Sequence, residues 1–207
     1  MTGGVASGKS ALGAALVARG AALCDADGVV AQLYAADGLG ARAVVALFGG
    51  EMLGADGAVD RGRLAAKVMA DQVARRQLEA AVHPLVRHAV ASWFAGLTRR
   101  PEVPEVGVVE AALLVETGFS RGFHRVVVVQ ATEAVRRRRA LSRGWREGRF
   151  ESIVSAQADD AARAAAADYL VPNDGRLGDL ETSADGLWRC LLEDARCLAG
   201  GLPFPRR

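Results

Sequence analysis

Apolar positions along this chain fall into two patterns. Short unbroken runs rich in valine and leucine mark buried strands, and longer stretches with apolar residues every three or four positions mark helices. Residues 11–19 put Leu12, Leu16 and neighbouring alanines on one face, and Gly20 closes the predicted helix. AALCDADG (residues 21–28) reads as a short buried strand ending in acids. A helix over about 29–36, a glycine break at 38–40 and a further helical stretch to Phe48 follow. Residues 49–64 are turn-rich before they enter a helix. Residues 64–97 are helical by spacing, with an interruption expected where Pro84 follows His83. After a loop at 99–105, VGVVEAALLVE (residues 106–116) reads as a central, fully buried strand, and residues 125–131 as a second. An arginine-rich helical region covers 132–167, residues 168–173 form a third strand, and a helix over about 179–198 precedes a proline-punctuated tail. There are no internal repeats. Strands alternating with helices predict an α/β fold with a mostly parallel sheet.

Composition narrows the class. At 207 residues the chain is expected to be one globular domain. Its 51% hydrophobic and 24% charged content is that of a soluble protein, and a net charge of +2 gives no ground for duplex nucleic acid as a partner. No apolar run is long enough to span a bilayer, so neither a membrane partner nor a signal peptide is expected, and the location expected is the cytoplasm. Cys24, Cys190 and Cys197 have no metal-ligand spacing. An odd number of cysteines fits reduced thiols, and Cys190 and Cys197 share a helix face as packing residues.

The first residues change the picture most. GGVASGKS (residues 3–10) fits the phosphate-loop pattern at every fixed position. Such a loop turns successive backbone N–H groups toward a phosphate, its lysine reaches the outer phosphates, and its serine hydroxyl binds Mg²⁺. The following helix adds its positive end to the same site. The only lysines of the chain are Lys9 and Lys67, so an arginine-biased sequence still keeps lysine where the loop needs it. Gly3, Gly4, Val5, Ala6, Ser7, Gly8, Lys9, Ser10 and Ala11 are therefore the expected nucleotide-binding stretch. Asp25 and Asp27 follow a strand, and strand alternation points them the same way. Either could accept a hydroxyl proton during phosphoryl transfer, or simply cap the next helix. Arg136 to Arg139, with Arg143, Arg146 and Arg149, form a basic segment whose residues are mostly a solvated face. Arg139 and Arg143 share a face by spacing, and one or two arginines of the segment fit a lid that closes over ATP. His83, beside Pro84, is either structural or lines an acceptor site; Arg61 is placed to meet a substrate phosphate.

Taken together, the motifs resemble the dephospho-coenzyme A kinase family, which completes coenzyme A synthesis. The resemblance covers nearly the whole chain. It rests on TGGVASGKS, the DAD of Asp25–Asp27, FGGEML with DGAVDRGRL, LEAAVHPLV, ALLVE, the pair Arg139 and Arg143, Gln157, and Asp168 with Asn173. It implies a P-loop kinase fold with a core at about 1–28, 86–131 and 166–207, an acceptor-binding helical lobe at about 29–85 and a lid at about 132–165. It implies ATP and Mg²⁺ as cofactors, and ATP and dephospho-CoA as small-molecule partners of a monomer. Lys9 and Ser10 would hold the ATP phosphates and Mg²⁺, and Asn173 would join the nucleotide site. Asp27 would be the base on the ribose 3′-hydroxyl, Arg139 the lid arginine, and Arg61 and His83 acceptor-side residues. Glu110 is the candidate for a water-mediated Mg²⁺ contact. Ala11 stands where the family usually has threonine, and Ala112 replaces a usual proline. The lid is about one residue short, so Arg146 and Arg149 receive no role. A rival is another small-molecule kinase, acting on a nucleoside monophosphate or a sugar acid. A nucleotide switch is disfavoured, because guanine recognition by N-K-x-D is impossible with lysines only at 9 and 67. Finally, only Met1 and Thr2 precede Gly3, so the strand that should carry the loop is expected to be missing, with Met1 in the place of its last apolar residue. That start reads as truncated: the loop is expected to be loosely held, ATP affinity weak, and an upstream extension stabilising.

Overall fold

The computed structural model describes residues 1–205. In chain order, β1 (Thr2–Gly3), α1 (Lys9–Ala18) and β2 (Ala22–Asp25) lead into α2 (Ala26–Leu33), α3 (Leu39–Phe48), α4 (Arg61–Ala70) and α5 (Gln72–Leu97). Then come β3 (Gly107–Glu110), β4 (Val127–Gln130), α6 (Glu133–Ser142), α7 (Glu147–Ala156), α8 (Asp160–Ala165), β5 (Tyr169–Pro172) and α9 (Leu177–Ala199). The chain divides into two compact units, Met1–Leu23 with Glu102–Arg207, and Cys24–Pro101.

The first unit is an α/β sandwich. β1 pairs parallel with β4, with Thr2 opposite Val128, and β4 pairs parallel with β5, with Val127 opposite Tyr169. Met1 joins β3 to this ladder: its amino group donates to Val109 O at 2.7 Å, and Ala111 N–H donates to Met1 O at 3.0 Å. On the far side of β3, Ala22 N–H donates to Val106 O at 3.0 Å. Met1 and β1 therefore stand between β3 and β4, in the central place of the strand expected to be missing. Met1, Leu12, Leu16, Val129, Leu180 and Leu187 meet in one buried cluster between the strands, α1 and α9. Burial pushes the Met1 amino group down to about 5, against the opposing effect of Glu110. On the outside, Arg19 at the end of α1 bonds Asp185 at 2.8 Å and Glu181 at 3.0 Å of α9.

The second unit is helical. Val44, Phe48, Met52, Val59 and Leu64 form its centre, with Tyr34 and Leu53 against them. Asp60 caps α4 by accepting from Gly62 N–H and Arg63 N–H, and Asp71 caps α5 through Val73 N–H and Ala74 N–H. The interruption expected at Pro84 lies instead at Asp71, and α5 runs unbroken through Pro84 for 26 residues. The reason is phase. Ala74, Val82, Val90 and Leu97 are all buried and recur every seven or eight residues, which is two helical turns. One continuous apolar stripe crosses the proline, and its burial offsets the missing hydrogen bond, a defect of about 3 kcal/mol.

One more expectation changes. The strand predicted over 106–116 ends at Glu110, and the apolar run beyond it forms turns, with Leu114 buried. An unbroken apolar run reports burial, not ladder pairing. The arginine-rich helical region is built of three helices, α6, α7 and α8.

Candidate functional site

The loop leaves β1 at Gly3, whose φ is 156°, and passes Ala6 at φ 58° and Gly8 at φ 105° before α1 begins at Lys9. The left-handed turns at Ala6 and Gly8 curl the backbone into a cradle. Gly3 and Gly8 are demanded by neighbours: a Cβ at Gly3 would overlap Val129 O and approach Ser7 Oγ at 2.7 Å, and one at Gly8 would overlap Asn173 Nδ2. Inside the cradle Ser7 N–H donates to Gly4 O at 3.1 Å. Lys9 Nζ donates to Gly3 O at 3.1 Å and Gly4 O at 3.2 Å, folding its ammonium over the loop.

Distant segments pin this loop. Asn173, just past β5, donates from Nδ2 to Ser7 O at 2.7 Å. Arg139 of α6 reaches Ser7 O at 3.4 Å, and Asn173 Oδ1 and Gly175 O at 3.5 Å each. Gln157, at the end of α7, accepts from Val5 N–H at 2.8 Å and donates to Ala112 O at 3.3 Å. The loop is thus tied at Val5 and Ser7, and the expectation of a loosely held loop does not describe it. Ser10 and Ala11 are exposed in the first turn of α1, and Ser10 Oγ donates to Glu110 Oε1 at 2.9 Å. A hydroxyl and a carboxylate side by side are the hard oxygen donors that Mg²⁺ prefers. Ala11, with no hydroxyl, adds nothing to that set.

The first unit therefore brings together residues 3–11, Glu110, Arg139 and Asn173. Asp27, Arg61 and His83 belong to the second unit. Asp25 and Asp27 do not point alike as strand residues would, because the strand ends at Asp25 and the helix starts at once. Asp25 Oδ1 accepts from Asp27 N–H at 3.0 Å, so Asp25 is the cap and Asp27 lies exposed in the first turn of α2. Arg61 is the first residue of α4, exposed, and near enough to lower the Tyr34 hydroxyl pKa, which burial raises more strongly. His83 is half-buried in mid-α5, against which α2 packs. Arg143 sits at the exposed C-cap of α6, about one turn past Arg139. Arg137, Arg138, Arg146 and Arg149 are exposed, as expected for a solvated face.

Arg136 breaks that pattern. It is 3% exposed, and its guanidinium packs against Gly4. Its only signal in sequence is that positions 136, 139 and 140 share one helix face with the small Ala140, which is buried. Gln157 had no signal of its own beyond its place in a motif. Arg163, also 3% exposed in its side chain, bonds Ala158 O and Asp160, and approaches Glu116 at 3.7 Å.

Comparison with known proteins bears on the family and the fold. The family model for dephospho-CoA kinase matches residues 1–179. A dephospho-CoA kinase from Frankia casuarinae is 41% identical over 96% of this chain and 86% of its own length. One from Methylococcus capsulatus is 35% identical over 91% of this chain and 93% of its own length. Among solved structures, a Thermus thermophilus protein superposes with a TM-score of 0.72 at 28% identity, covering 91% of this chain and 94% of its own.

Proposed function

The chain belongs to the dephospho-CoA kinase family, and from that premise we propose how its residues divide the work of phosphoryl transfer. The overall reaction moves a phosphate from ATP to dephospho-CoA, the last step of coenzyme A formation. The rival substrates, a nucleoside monophosphate or a sugar acid, and the switch reading give way to this assignment.

In the proposed division, the N–H groups of residues 3–10 and the N-terminus of α1 hold the ATP phosphates, with Lys9 moving from Gly3 O and Gly4 O to the outer phosphates. Asn173 and Arg139 approach Ser7 from the other side, and Arg139 meets charge that develops on the migrating group. Ser10 and Glu110 would hold Mg²⁺, Glu110 through water. Among the described residues no three His, Cys, Asp or Glu side chains gather as a metal cage, so the remaining ligands would be phosphate and water oxygens. When bound, Mg²⁺ supplies neutralising charge at the phosphates. Asp27 accepts the proton of the ribose 3′-hydroxyl while that oxygen bonds to the γ-phosphorus and the bridge to ADP breaks. Arg61 and His83 serve the acceptor. Among the described residues no helix is long and apolar enough to cross a membrane, and we place the reaction, carried out by a monomer, in the cytoplasm.

The observation that carries this reading is the pinned loop with the Ser10–Glu110 pair at its mouth. Incubation with ATP, Mg²⁺ and dephospho-CoA should yield coenzyme A and ADP, while adenosine and AMP should remain unphosphorylated. Equal transfer to AMP would overturn the acceptor assignment.

A further inference from the structure

The structure assigns a positioning role to Arg136: it holds the phosphate loop in its binding shape and ties that shape to α8. The inference rests on the loop being the ATP site. Two of the three guanidinium nitrogens are anchored away from the loop, Nε on Ala131 O at 3.1 Å and Nη2 on Asp160 Oδ2 at 3.1 Å. Ala131 follows β4 and Asp160 opens α8, so the group is fixed from both sides. The third nitrogen, Nη1, is buried and has no hydrogen-bond partner among the described residues.

What Nη1 does touch is Gly4. A Cβ built there would overlap Nη1, and its three nearest atoms, Nη1, Cζ and Cδ, all belong to Arg136. Gly4 does not use left-handed backbone, so nothing in its own conformation demands glycine. The guanidinium demands it. The Gly4 carbonyl also receives Lys9 Nζ at 3.2 Å, so two cations converge on one peptide. When Lys9 turns to the phosphates, Arg136 is the group that stays against Gly4. It keeps the first bend of the cradle from relaxing. As a buried, anchored positive charge under the loop, it also acts on the phosphates with little screening.

A plain core ion pair would stabilise the fold without this link to Gly4, and the two are separable. ATP binding is measured by calorimetry on the wild type, R136A, R136M, R136K, G4A and the double variant G4A/R136A, together with kcat and both Michaelis constants. Removing the guanidinium should weaken ATP binding by about tenfold or more, because the cradle is misplaced before ATP arrives. The Michaelis constant for dephospho-CoA should be unchanged, kcat at saturating ATP should change by less than about threefold, and R136K should recover part of the ATP affinity. G4A should be as harmful in the wild type as losing the guanidinium, yet cost less than about twofold more in the R136A background. Equal damage from G4A in both backgrounds, or wild-type ATP affinity in R136M, overturns the inference. Should R136A and R136M fail to fold, the same G4A comparison in the R136K background decides. Failure of the wild type to bind ATP would overturn the loop reading instead.

Discussion

An Asp27→Asn substitution keeps the size and the hydrogen-bonding amide of the first turn of α2 and removes only the capacity to accept a proton. Asp25, two residues earlier, already supplies the cap through its bond to Asp27 N–H, so the cap does not depend on the Asp27 carboxylate. Turnover should therefore fall by about a hundredfold or more while calorimetric ATP affinity stays within about twofold. Near-normal turnover would reduce Asp27 to an ordinary first-turn acid. Asp25→Ala should do the reverse, lowering stability by about 1 kcal/mol with turnover per folded molecule little changed. The arginines divide in the same way. Arg139 reaches Ser7 O and Asn173, and Arg143 is exposed at a helix end. Arg139→Ala should lower kcat more than it raises the Michaelis constant for ATP, because its charge acts on the transition state. Arg143→Ala should be nearly silent. A severe Arg143→Ala beside a silent Arg139→Ala would exchange the two assignments.

Among the elements, α5 carries the clearest stability test. Pro84 removes one helical hydrogen bond at a cost of about 3 kcal/mol, and in return stiffens the unfolded chain by about 1 kcal/mol or less. Pro84→Ala should raise stability by about 2 kcal/mol, read in a urea titration. Loss of stability would mean that the proline shapes the helix around His83. The cap of α4 adds a pH dependence. Hydrogen bonds from Arg63 N–H and then Gly62 N–H hold the Asp60 carboxyl below its ordinary value of about 3.9. A lowered folded-state pKa stabilises above that ordinary value, and the benefit is lost as pH falls through the folded value. Asp60→Asn, which still caps, should flatten the fall in melting temperature below about pH 4. The elements also show where sequence is readable. The loop, α1 and β4 follow from residue type and period alone. The end of β3 and the course of α5 do not, because Leu114 and Val90 are buried for reasons set by packing partners far along the chain. The same holds at the site. Lys9 and Ser10 stand in a local motif, while Arg136 is selected by its contact with Gly4, 132 residues away in sequence by the difference of their numbers.

On the scale of the molecule, the first unit separates binding from bracing by strand polarity. β1, β4 and β5 run parallel, and the loop, Arg139 and Asn173 gather where they end. A second polar network sits where β4 and β5 begin. Asp194 of α9, 4% exposed, accepts from Arg125 Nε at 2.7 Å and from Tyr169 Oη at 2.6 Å. Asp168 receives Val126 N–H at 2.6 Å, and Phe204 of the tail lies 4.1 Å from the Arg125 guanidinium. These bonds tie α9 to the starts of β4 and β5, and the network is expected to brace α9 on the sheet without taking part in transfer. Asp194→Ala takes the shared acceptor from a nearly buried pair, for which a loss of about 3 kcal/mol is expected, the low end because Arg125 keeps Asp168. For a chain of this size that lowers the melting temperature by about six to twelve degrees. At temperatures where the variant is still folded, its kcat and its Michaelis constants for ATP and dephospho-CoA should match the wild type. A change in the Michaelis constant for ATP in folded Asp194→Ala would show that strain at the start of the strands reaches the cradle at their ends, and the separation of bracing from binding would be lost.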